Sequence, residues 1–365
     1  MTSASGALLN SAQRYSHIDA MRALAVMLVV FSHAGLGQIV PGGSGVTIFF
    51  VISGYVITTV LLRERAKTGR FDVREFYFRR FAKLAPPFAV FVVVPSIVAI
   101  VLGADLIDGL LSQTLFVFNW ASLWFDVSVF PGTGVTWSLA IEEQFYILVA
   151  VVWIAVVRLR AWRSITITIA SLVVVASTAE RFVLALDPAA TERIYLGTDT
   201  RMDAIAIGVL LAIWLDRVTT EQSPQVRRVI GSNWAALAAA ATFLLSLAIR
   251  DDYFRDTARY TLQAVAAGTF IAWGFGVNHS RARRLLDGAL NVRFVQFIGL
   301  ASYSIYLAHL VVMLLLAPFV GWIPGPARIA VLIVLGTAVG CLSYRLIEVP
   351  VHRRVKAQRA VSLAR

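Results

Sequence analysis

Long apolar segments, each about the length of a bilayer-spanning helix, recur along this chain of 365 residues. The hydrocarbon core of a bilayer is about 30 Å thick, and a helix needs about 20 residues to cross it. Apolar residues make up 58% of the chain and charged residues 15%, whereas soluble domains average about 45–50% and about 25%. These features exclude a soluble enzyme, a secreted disulfide scaffold and a disordered chain. We expect an all-α, polytopic integral membrane protein.

Basic residues between the apolar segments indicate which of the segments cross the membrane. The eleven segments lie near 18–37, 43–62, 84–102, 108–125, 136–157, 164–180, 198–215, 231–249, 261–277, 294–317 and 326–347. Basic clusters lie at 63–83, 158–163, 216–230, 279–293 and from Arg345 onward. Cytoplasmic loops carry an excess of Lys and Arg. With a cytoplasmic N-terminus, all five clusters are cytoplasmic only if one segment between 84 and 157 does not cross.

The segment 108–125 is the weakest candidate, because polar residues interrupt it and aspartates flank it. We expect it to be re-entrant or interfacial. About ten transmembrane helices then remain, with both termini cytoplasmic. The net charge of +12 follows from the same rule, so it does not indicate a nucleic-acid partner.

The domain organisation expected from this pattern is a single membrane domain with short flanks. A cytoplasmic N-terminal segment covers 1–17, the membrane domain 18–350 and a basic cytoplasmic tail 351–365. The first sixteen residues lack the basic and apolar regions of a cleavable signal, so we expect the first helix to be retained. The single cysteine excludes an intramolecular disulfide. No phosphate loop, dinucleotide-binding pattern or zinc-ligand cluster is present, so we expect no metal site and no tightly bound cofactor.

Ionisable residues inside membrane segments are costly and often mark function. The first segment carries Asp19, Arg22 and His33. Arg22 and His33 are eleven residues apart, which places them on one helix face about 16 Å apart. Asp19 and Arg22 can pair across three residues. The alternatives are that Asp19 and Arg22 extend to the membrane surface and that His33 bonds to a neighbouring helix.

The fifth segment begins T-W-S-L-A-I-E-E-Q-F-Y. Its adjacent glutamates point in directions about 100° apart on a helix, so they cannot face the same site. Ser138, Glu142 and Tyr146 form a polar stripe with a spacing of four residues. We therefore expect Glu142 to face a cavity, although a carboxylate paired with arginine for packing remains the alternative.

Two later segments carry further polar residues. The seventh begins D-T-R-M-D and contains Arg201 and Asp203, while the tenth contains Tyr303 and His309 in S-Y-S-I-Y-L-A-H. Arg201 is a candidate counter-ion of Glu142 or a candidate residue for binding a substrate that accepts a transferred group. The tyrosines are equally well explained as an aromatic packing face.

The loop at 63–83 contains eight basic residues, more than membrane topology requires. It ends F-R-R-F-A-K-L-A-P-P, in which Arg79, Arg80 and Lys83 suit the phosphates of a cytoplasmic ligand. Binding to anionic lipids is the alternative explanation.

Seven motifs, in order between residues 18 and 350, resemble those of the integral-membrane acyltransferase-3 family. They are I-D-A-M-R-A-L-A-V followed by His33, F-F-V-I-S-G-Y, R-R-F-A-K-L-A-P-P, T-W-S-L-A-I-E-E-Q-F-Y, R-M-D-A-I-A-I-G, S-Y-S-I-Y-L-A-H and Y-R-L-I-E-V-P. The resemblance implies a ten-helix enzyme of the bacterial plasma membrane. It implies transfer of a short acyl group from acyl-CoA to a hydroxyl of a carbohydrate or glycosylated acceptor. His33, Arg22, Glu142 and Arg80 match the family's functional positions.

The chain departs from the family pattern at three positions. Ala20 replaces a common Gly, Thr47 a frequent Asp and Lys83 a usual Arg. Lys83 keeps a charge for phosphate but lacks the bidentate fork of arginine.

Our working hypothesis assigns the residues to three roles. The predicted catalytic residues are His33, Glu142, Arg22 and Asp19; the donor-binding residues are Arg79, Arg80 and Lys83; the acceptor-binding residues are Arg201, Asp203, Tyr303 and His309. His33 acts as general base or carries the acyl group itself, and Glu142 orients its imidazole. The alternatives are a transporter, which the lack of an internal repeat disfavours, and a non-catalytic binder. The sequence leaves the oligomeric state open.

Overall fold

The computed structural model describes residues 15–221 and 223–355, and these residues contain helices and no strand. The α-helices are α1 (Ser16–Phe31), α2 (Gly42–Thr68), α3 (Val73–Phe88), α4 (Val94–Val101), α5 (Ile107–Thr114), α6 (Phe118–Trp124), α7 (Trp137–Val156), α8 (Trp162–Leu184), α9 (Thr191–Leu196), α10 (Thr198–Thr220), α11 (Pro224–Ile230), α12 (Asn233–Ala248), α13 (Asp252–Asp256), α14 (Ala258–Phe275), α15 (Arg281–Leu290), α16 (Arg293–Leu316) and α17 (Gly325–Ser343). Wider π-helical turns follow α1, α3 and α17, at Ser32–Leu36, Ala89–Val93 and Tyr344–Glu348. The all-helical fold class is confirmed.

Seven helical stretches among the described residues are long and apolar enough to cross a membrane, or eight if a bent pair counts as one span. The seven are Ser16–Leu36, Gly42–Thr68, Val73–Val101, Thr133–Val156, Trp162–Leu184, Arg293–Phe319 and Gly325–Val355, and the bent pair is α11 with α12. Helices α10 and α14 coincide with two further predicted segments but contain more polar residues. All ten predicted segments are therefore helical, while the count of ten spans and the orientation of the termini stay predictions.

The predicted interfacial segment forms α5 and α6, of eight and seven residues. Each helix is too short to span a bilayer. The side chain of Gln113 in α5 donates to the Thr133 carbonyl at 2.9 Å and to the hydroxyls of Thr133 and Thr136 at 3.0 Å. These bonds attach α5 to the short 3₁₀ turn that precedes α7, and the interfacial position of the segment stays a prediction.

The chain forms two compact units whose boundaries fall inside the predicted membrane domain. Among the described residues, unit 1 comprises 15–25, 44–71, 141–221 and 223–299, and unit 2 comprises 26–43, 72–140 and 300–355. Most of the predicted terminal segments 1–17 and 351–365 lie outside the described residues.

Helix α10 is the centre of unit 1, where it packs against α8 and α14. Helix α2 also approaches it closely, because Gly54 brings its backbone against the carbonyl group of Ile205 and leaves no room for a Cβ atom. Small residues at such positions let membrane helices pack through their backbones. The Ser53–Gly54 step in the second segment therefore has a packing role.

Unit 2 uses glycines in the same way around α16. Gly340 of α17 lies against the backbone of Ile305, and Gly336, one turn earlier, approaches His309. The two glycines form a G-x-x-x-G pattern, which is typical of closely packed membrane helices. Gly132, in the turn before α7, lies against the backbone of Val311. The segment of α16 from 305 to 311 is thus held by backbone contacts on two sides.

Candidate active site

His33 lies in the π-helical turn Ser32–Leu36 that ends the first membrane helix. Turns of this kind interrupt the regular hydrogen bonding of an α-helix and frequently occur at functional sites. Gly35 has a φ of 112°, a left-handed conformation that glycine adopts without steric cost. The side chain of His33 is exposed. The turn therefore presents an accessible imidazole at the end of a helix.

His309 of α16 is the hydrogen-bonding partner of His33 in unit 2. The His33 Nδ1 and His309 Nε2 atoms are 2.9 Å apart, and the two rings are stacked with centroids 5.1 Å apart. His309 is fully buried, and its Nδ1 atom donates to the carbonyl of Ile305 at 3.1 Å. An exposed histidine is thus supported by a buried one, which is in turn attached to the backbone of its own helix.

Tyr306, next to this pair on α16, fixes the helix to the start of α7. Its hydroxyl donates to the carbonyl of Val135 at 2.9 Å and lies 2.7 Å from the hydroxyl oxygen of Ser138. Ser138 was predicted to share a polar stripe with Glu142, and it is buried against α16. These bonds hold the helix turn that carries His309.

Tyr303 connects α16 to α3. Its hydroxyl donates to the carbonyl of Leu84 at 3.0 Å. Leu84 is one helical turn beyond Arg80, and Tyr303 is six residues before His309. Tyr303 was predicted to bind the acceptor, and in this structure its hydroxyl anchors the basic helix.

Helix α3 carries the three predicted donor-binding residues on its exposed and half-exposed surface. Asp72 caps the helix by accepting from the backbone N–H of Glu75 at 2.9 Å, which satisfies one of the free donors at its N-terminus. Arg79 pairs with Glu75 one turn away. Arg80 is half-buried, and Lys83 is exposed. The spacing of three and four residues places these cations on neighbouring turns of one helix.

Glu142, in unit 1, accepts a hydrogen bond from the Ser53 hydroxyl at 2.9 Å. Its side chain is half-buried, whereas the neighbouring Glu143 is buried. The carboxylate therefore joins α7 to α2 at the Ser53–Gly54 step.

A buried ion pair between Arg181 of α8 and Asp203 of α10 lies at the core of unit 1. The Arg181 Nη2 atom is 2.7 Å from the Asp203 Oδ2 atom, and both side chains have 0% exposure. Arg181 also donates to the carbonyls of Thr257, at 3.2 Å, and Thr200, and Thr261 donates to Asp203 at 2.8 Å. Asp203 was predicted to bind the acceptor, and its carboxylate is held inside this network.

Arg201 lies two residues before Asp203 and is also buried. Its Nη2 atom donates to the Thr47 hydroxyl at 3.2 Å, and its guanidinium lies 3.9 Å from the ring centroid of Tyr260. A cation over an aromatic face in a desolvated site is stabilised by the ring's charge distribution. Arg201 is thus held by an alcohol and an aromatic ring within unit 1.

Asp19 and Arg22, the remaining predicted catalytic residues, are half-buried on α1 in unit 1. Gly299 of α16 packs directly against the backbone of Asp19. Close to this contact, the Gln296 side chain donates to the Ser16 carbonyl at 2.8 Å. The structure therefore fixes the backbone of this end of α1.

The comparison with protein families decides the classification. The model described as an acyltransferase domain, that of the acyltransferase-3 family, matches residues 15–345. The chain belongs to this family. The family assignment expected from the seven motifs, and with it the acyltransferase class, is confirmed.

Three relatives illustrate the similarity of this acyltransferase-3 member to named proteins. The peptidoglycan O-acetyltransferase OatA of Listeria monocytogenes is 31% identical over an aligned length of 358, and the alignment covers 92% of this chain and 55% of the relative. The putative peptidoglycan O-acetyltransferase YrhL of Bacillus subtilis is 30% identical, with 92% and 54% covered. A putative O-acetyltransferase of Staphylococcus aureus is 28% identical, with 92% and 57% covered. The chain thus spans slightly more than half the length of these relatives. No solved structure matches it significantly.

The departures of this acyltransferase-3 member from the family pattern have distinct structural settings. Thr47 supplies the hydroxyl that accepts from Arg201, so a neutral group occupies a place where the family frequently has a carboxylate. Lys83 lies one residue before Leu84, at the contact with α16. Ala20 is buried on α1.

Two residues of this acyltransferase-3 member were missed by the sequence reasoning. Arg181 follows directly on the predicted segment 164–180, so it looked like a flanking charge. Glu348, in the closing motif Y-R-L-I-E-V-P, is buried and accepts from Ser304 of α16 at 2.7 Å. A signal for Arg181 was its position at the end of a long apolar run, where an arginine can also turn inward to pair with an intramembrane acid.

The predicted site residues fall into two groups according to the unit that contains them. Unit 2 contains His33, Arg79, Arg80, Lys83, Tyr303 and His309, and unit 1 contains Asp19, Arg22, Glu142, Arg201 and Asp203. The described residues contain no group of three or more side chains suited to hold a metal ion.

Proposed function

We propose that this protein transfers a short acyl group, with acetyl as the first candidate, from cytoplasmic acyl-CoA to a carbohydrate hydroxyl at the bacterial plasma membrane. Peptidoglycan is the acceptor class that the names of its relatives favour. The observation that carries the proposal is the exposed His33, supported by buried His309, in the unit that also contains the basic helix α3.

The reaction exchanges one acyl bond for another. The acceptor hydroxyl oxygen forms a bond to the thioester carbonyl carbon, and the carbon–sulfur bond to CoA breaks. His33 takes the hydroxyl proton and returns it to the departing thiolate, so the products are the O-acylated sugar and CoA with a free thiol. General base catalysis by a positioned imidazole typically contributes about 10²–10⁴-fold to the rate.

The donor would be held by the cations of α3. The phosphates of CoA suit Arg79, Arg80 and Lys83, since guanidinium groups form paired hydrogen bonds to phosphate and ammonium groups act as point charges. The anchoring of α3 to α16 through Tyr303 supports delivery of the thioester toward the histidine pair.

A second route gives the same products through a covalent intermediate. In that route His33 attacks the thioester and carries the acyl group before it passes to the acceptor hydroxyl. The two routes differ in one observable, because only the second gives an acyl-enzyme when no acceptor is present.

The test compares purified wild-type protein with the His33→Ala and His279→Ala variants in nanodiscs. His279 is an exposed histidine outside the candidate site, which makes its variant a matched control. Each protein receives acetyl-, propionyl- and succinyl-CoA, with and without peptidoglycan fragments, and release of free CoA is measured. We expect acceptor-dependent release that falls at least about 100-fold in His33→Ala and is unchanged in His279→Ala.

Two outcomes would overturn the proposal. Equal CoA release by wild type and His33→Ala would show that the imidazole of His33 takes no part in the reaction. Uptake of a solute that saturates and needs no acyl-CoA, with no consumption of any donor, would instead favour the transporter alternative.

A further inference from the structure

The hydrogen bonds of the histidine pair determine where the protons of both rings lie. A carbonyl oxygen only accepts, so the His309 Nδ1 atom that bonds to Ile305 carries a hydrogen. His309 is fully buried, and a charged ring there would carry a desolvation penalty. A neutral His309 with a hydrogen on Nδ1 has its lone pair on Nε2. The Nε2 atom then accepts from His33 Nδ1 across the 2.9 Å contact.

We propose that His309 is a positioning residue that holds His33 in the Nδ1–H tautomer and leaves the His33 Nε2 atom as the base. The proposal rests on the function proposed above. It gives His309 a different role from the predicted one, because its ring is directed at His33 and at its own helix. It also transfers the orienting role that we had expected of Glu142 to a neutral imidazole.

The geometry explains why the free nitrogen of His33 is the reactive one. The two ring nitrogens point in different directions, so the bond from Nδ1 to the buried His309 leaves Nε2 directed away from that contact. When Nε2 takes the proton from the hydroxyl of the sugar substrate, the Nδ1–H group remains bonded to His309. This hydrogen bond is then charge-assisted and stronger. His309 cannot pass the proton on, because the carbonyl of Ile305 is not a base. The proton therefore returns from His33 Nε2 to the CoA thiolate.

Packing around His309 supports a fixed ring. Gly336 of α17 packs closely against His309, since a Cβ atom added at Gly336 would lie 3.2 Å from the His309 carbonyl oxygen. Gly340 lies against the backbone of Ile305, and Tyr306 attaches the same turn to the segment before α7. The acceptor carbonyl, the ring and the neighbouring backbone thus have little freedom to rearrange.

The test measures the tautomers directly by nitrogen-15 magnetic resonance of the histidine-labelled protein in nanodiscs. The chain has five histidines, so each ring can be assigned by substituting one residue at a time. We expect His33 and His309 each to carry the hydrogen on Nδ1, opposite to the form that prevails for free histidine in water. His279→Gln serves as the control and should leave both signals unchanged.

Two variants of His309 separate positioning from packing. His309→Gln retains an amide oxygen that can accept from His33, so it should keep the His33 tautomer and stay within about 10-fold of the wild-type kcat. His309→Phe preserves bulk but removes the acceptor, so the His33 signal should shift to a tautomer mixture. Its kcat should fall about 100-fold while KM for acyl-CoA is unchanged, because the donor cations are untouched.

The outcomes are distinct from those that test the function. A hydrogen on His33 Nε2 in the wild type, or a His309→Phe variant with an unchanged His33 signal and full kcat, would overturn the positioning role. A pair with both hydrogens on Nδ1 in a protein that consumes no acyl-CoA would instead leave the positioning of the ring intact and overturn the proposed reaction.

Discussion

The substitution Arg181→Met should greatly lower the free energy of unfolding, because it leaves the carboxylate of its buried partner Asp203 without a counter-ion. The Arg181 side chain is fully buried and forms an ion pair with the equally buried Asp203 at 2.7 Å. It also donates to the carbonyls of Thr257 and Thr200. Without the guanidinium, the Asp203 carboxylate would keep only the Thr261 hydroxyl among its partners in the described residues. Removing one partner of a buried ion pair typically costs about 3–5 kcal/mol.

A double-mutant cycle isolates the charge from the lost packing. Adding Asp203→Asn to Arg181→Met neutralises the uncompensated carboxylate, so the double variant should be more stable than Arg181→Met by about 1–3 kcal/mol. The matched control is Arg193→Met, which breaks two ion pairs, with Asp199 and Glu180, in which the side chain of Arg193 is 26% exposed and those of its partners 34% and 36%. A pair accessible to solvent contributes about 0–1 kcal/mol, so this control should differ little from wild type.

The assay is equilibrium unfolding of the purified protein in mixed micelles of mild detergent and dodecyl sulfate, followed by tryptophan fluorescence. The free energies of unfolding of the wild type, Arg181→Met, Asp203→Asn, their double variant and Arg193→Met are compared under one condition. The reasoning is refuted if Arg181→Met is as stable as Arg193→Met, or if Asp203→Asn gives no recovery in the Arg181→Met background.

Three further predictions follow from unit 2. Gly340→Ala should reduce kcat about 100-fold, because the new Cβ atom would displace the backbone of Ile305 and misplacement by about 1 Å can cost that much. Gly336→Ala, whose Cβ atom meets its nearest neighbours at 3.2–3.3 Å, should lose much less in the same kinetic assay. Tyr306→Phe should lower the free energy of unfolding by about 1–2 kcal/mol in the micelle titration, since a buried hydroxyl with two partners is removed. Lys83→Arg should lower KM for acyl-CoA and Lys83→Gln should raise it; equal KM values would exclude a donor contact.

The fold class could be predicted from the sequence because the apolar segments are long and evenly distributed. A bilayer imposes a helix wherever about 20 apolar residues occur together, and all ten segments proved helical. The number of spans could not be predicted as securely. Helix α10 shows the reason, since Asp199, Arg201 and Asp203 lower its hydropathy although most of the helix is buried. Charges that are paired inside a unit look the same in sequence as charges that face water.

The candidate site could be predicted only in part for a related reason. Intramembrane charge singled out His33 and Glu142, and helical periodicity indicated which face each one occupies. Periodicity does not indicate which helix lies opposite. The partner of His33 is 276 residues away in the chain, and no local pattern connects the two. Glu142 likewise accepts from Ser53, 89 residues away in the chain, and no local pattern predicts that partner.

In the proposed mechanism His309 takes the place that a carboxylate occupies in a hydrolytic triad, and this has a physical reason and a kinetic consequence. An ionised carboxylate at membrane depth needs a partner such as Arg181 to offset its desolvation, whereas a neutral imidazole bonded to Ile305 does not. A neutral His309 also stabilises a protonated His33 less than a carboxylate would. It offers only the dipole of a hydrogen bond and no full negative charge. The imidazolium should therefore be short-lived, with its proton passing to the thiolate as the carbon–sulfur bond breaks. An oxygen ester of similar shape has a far more basic leaving group, which departs only if the proton reaches it earlier, so it should be a far poorer substrate than the thioester.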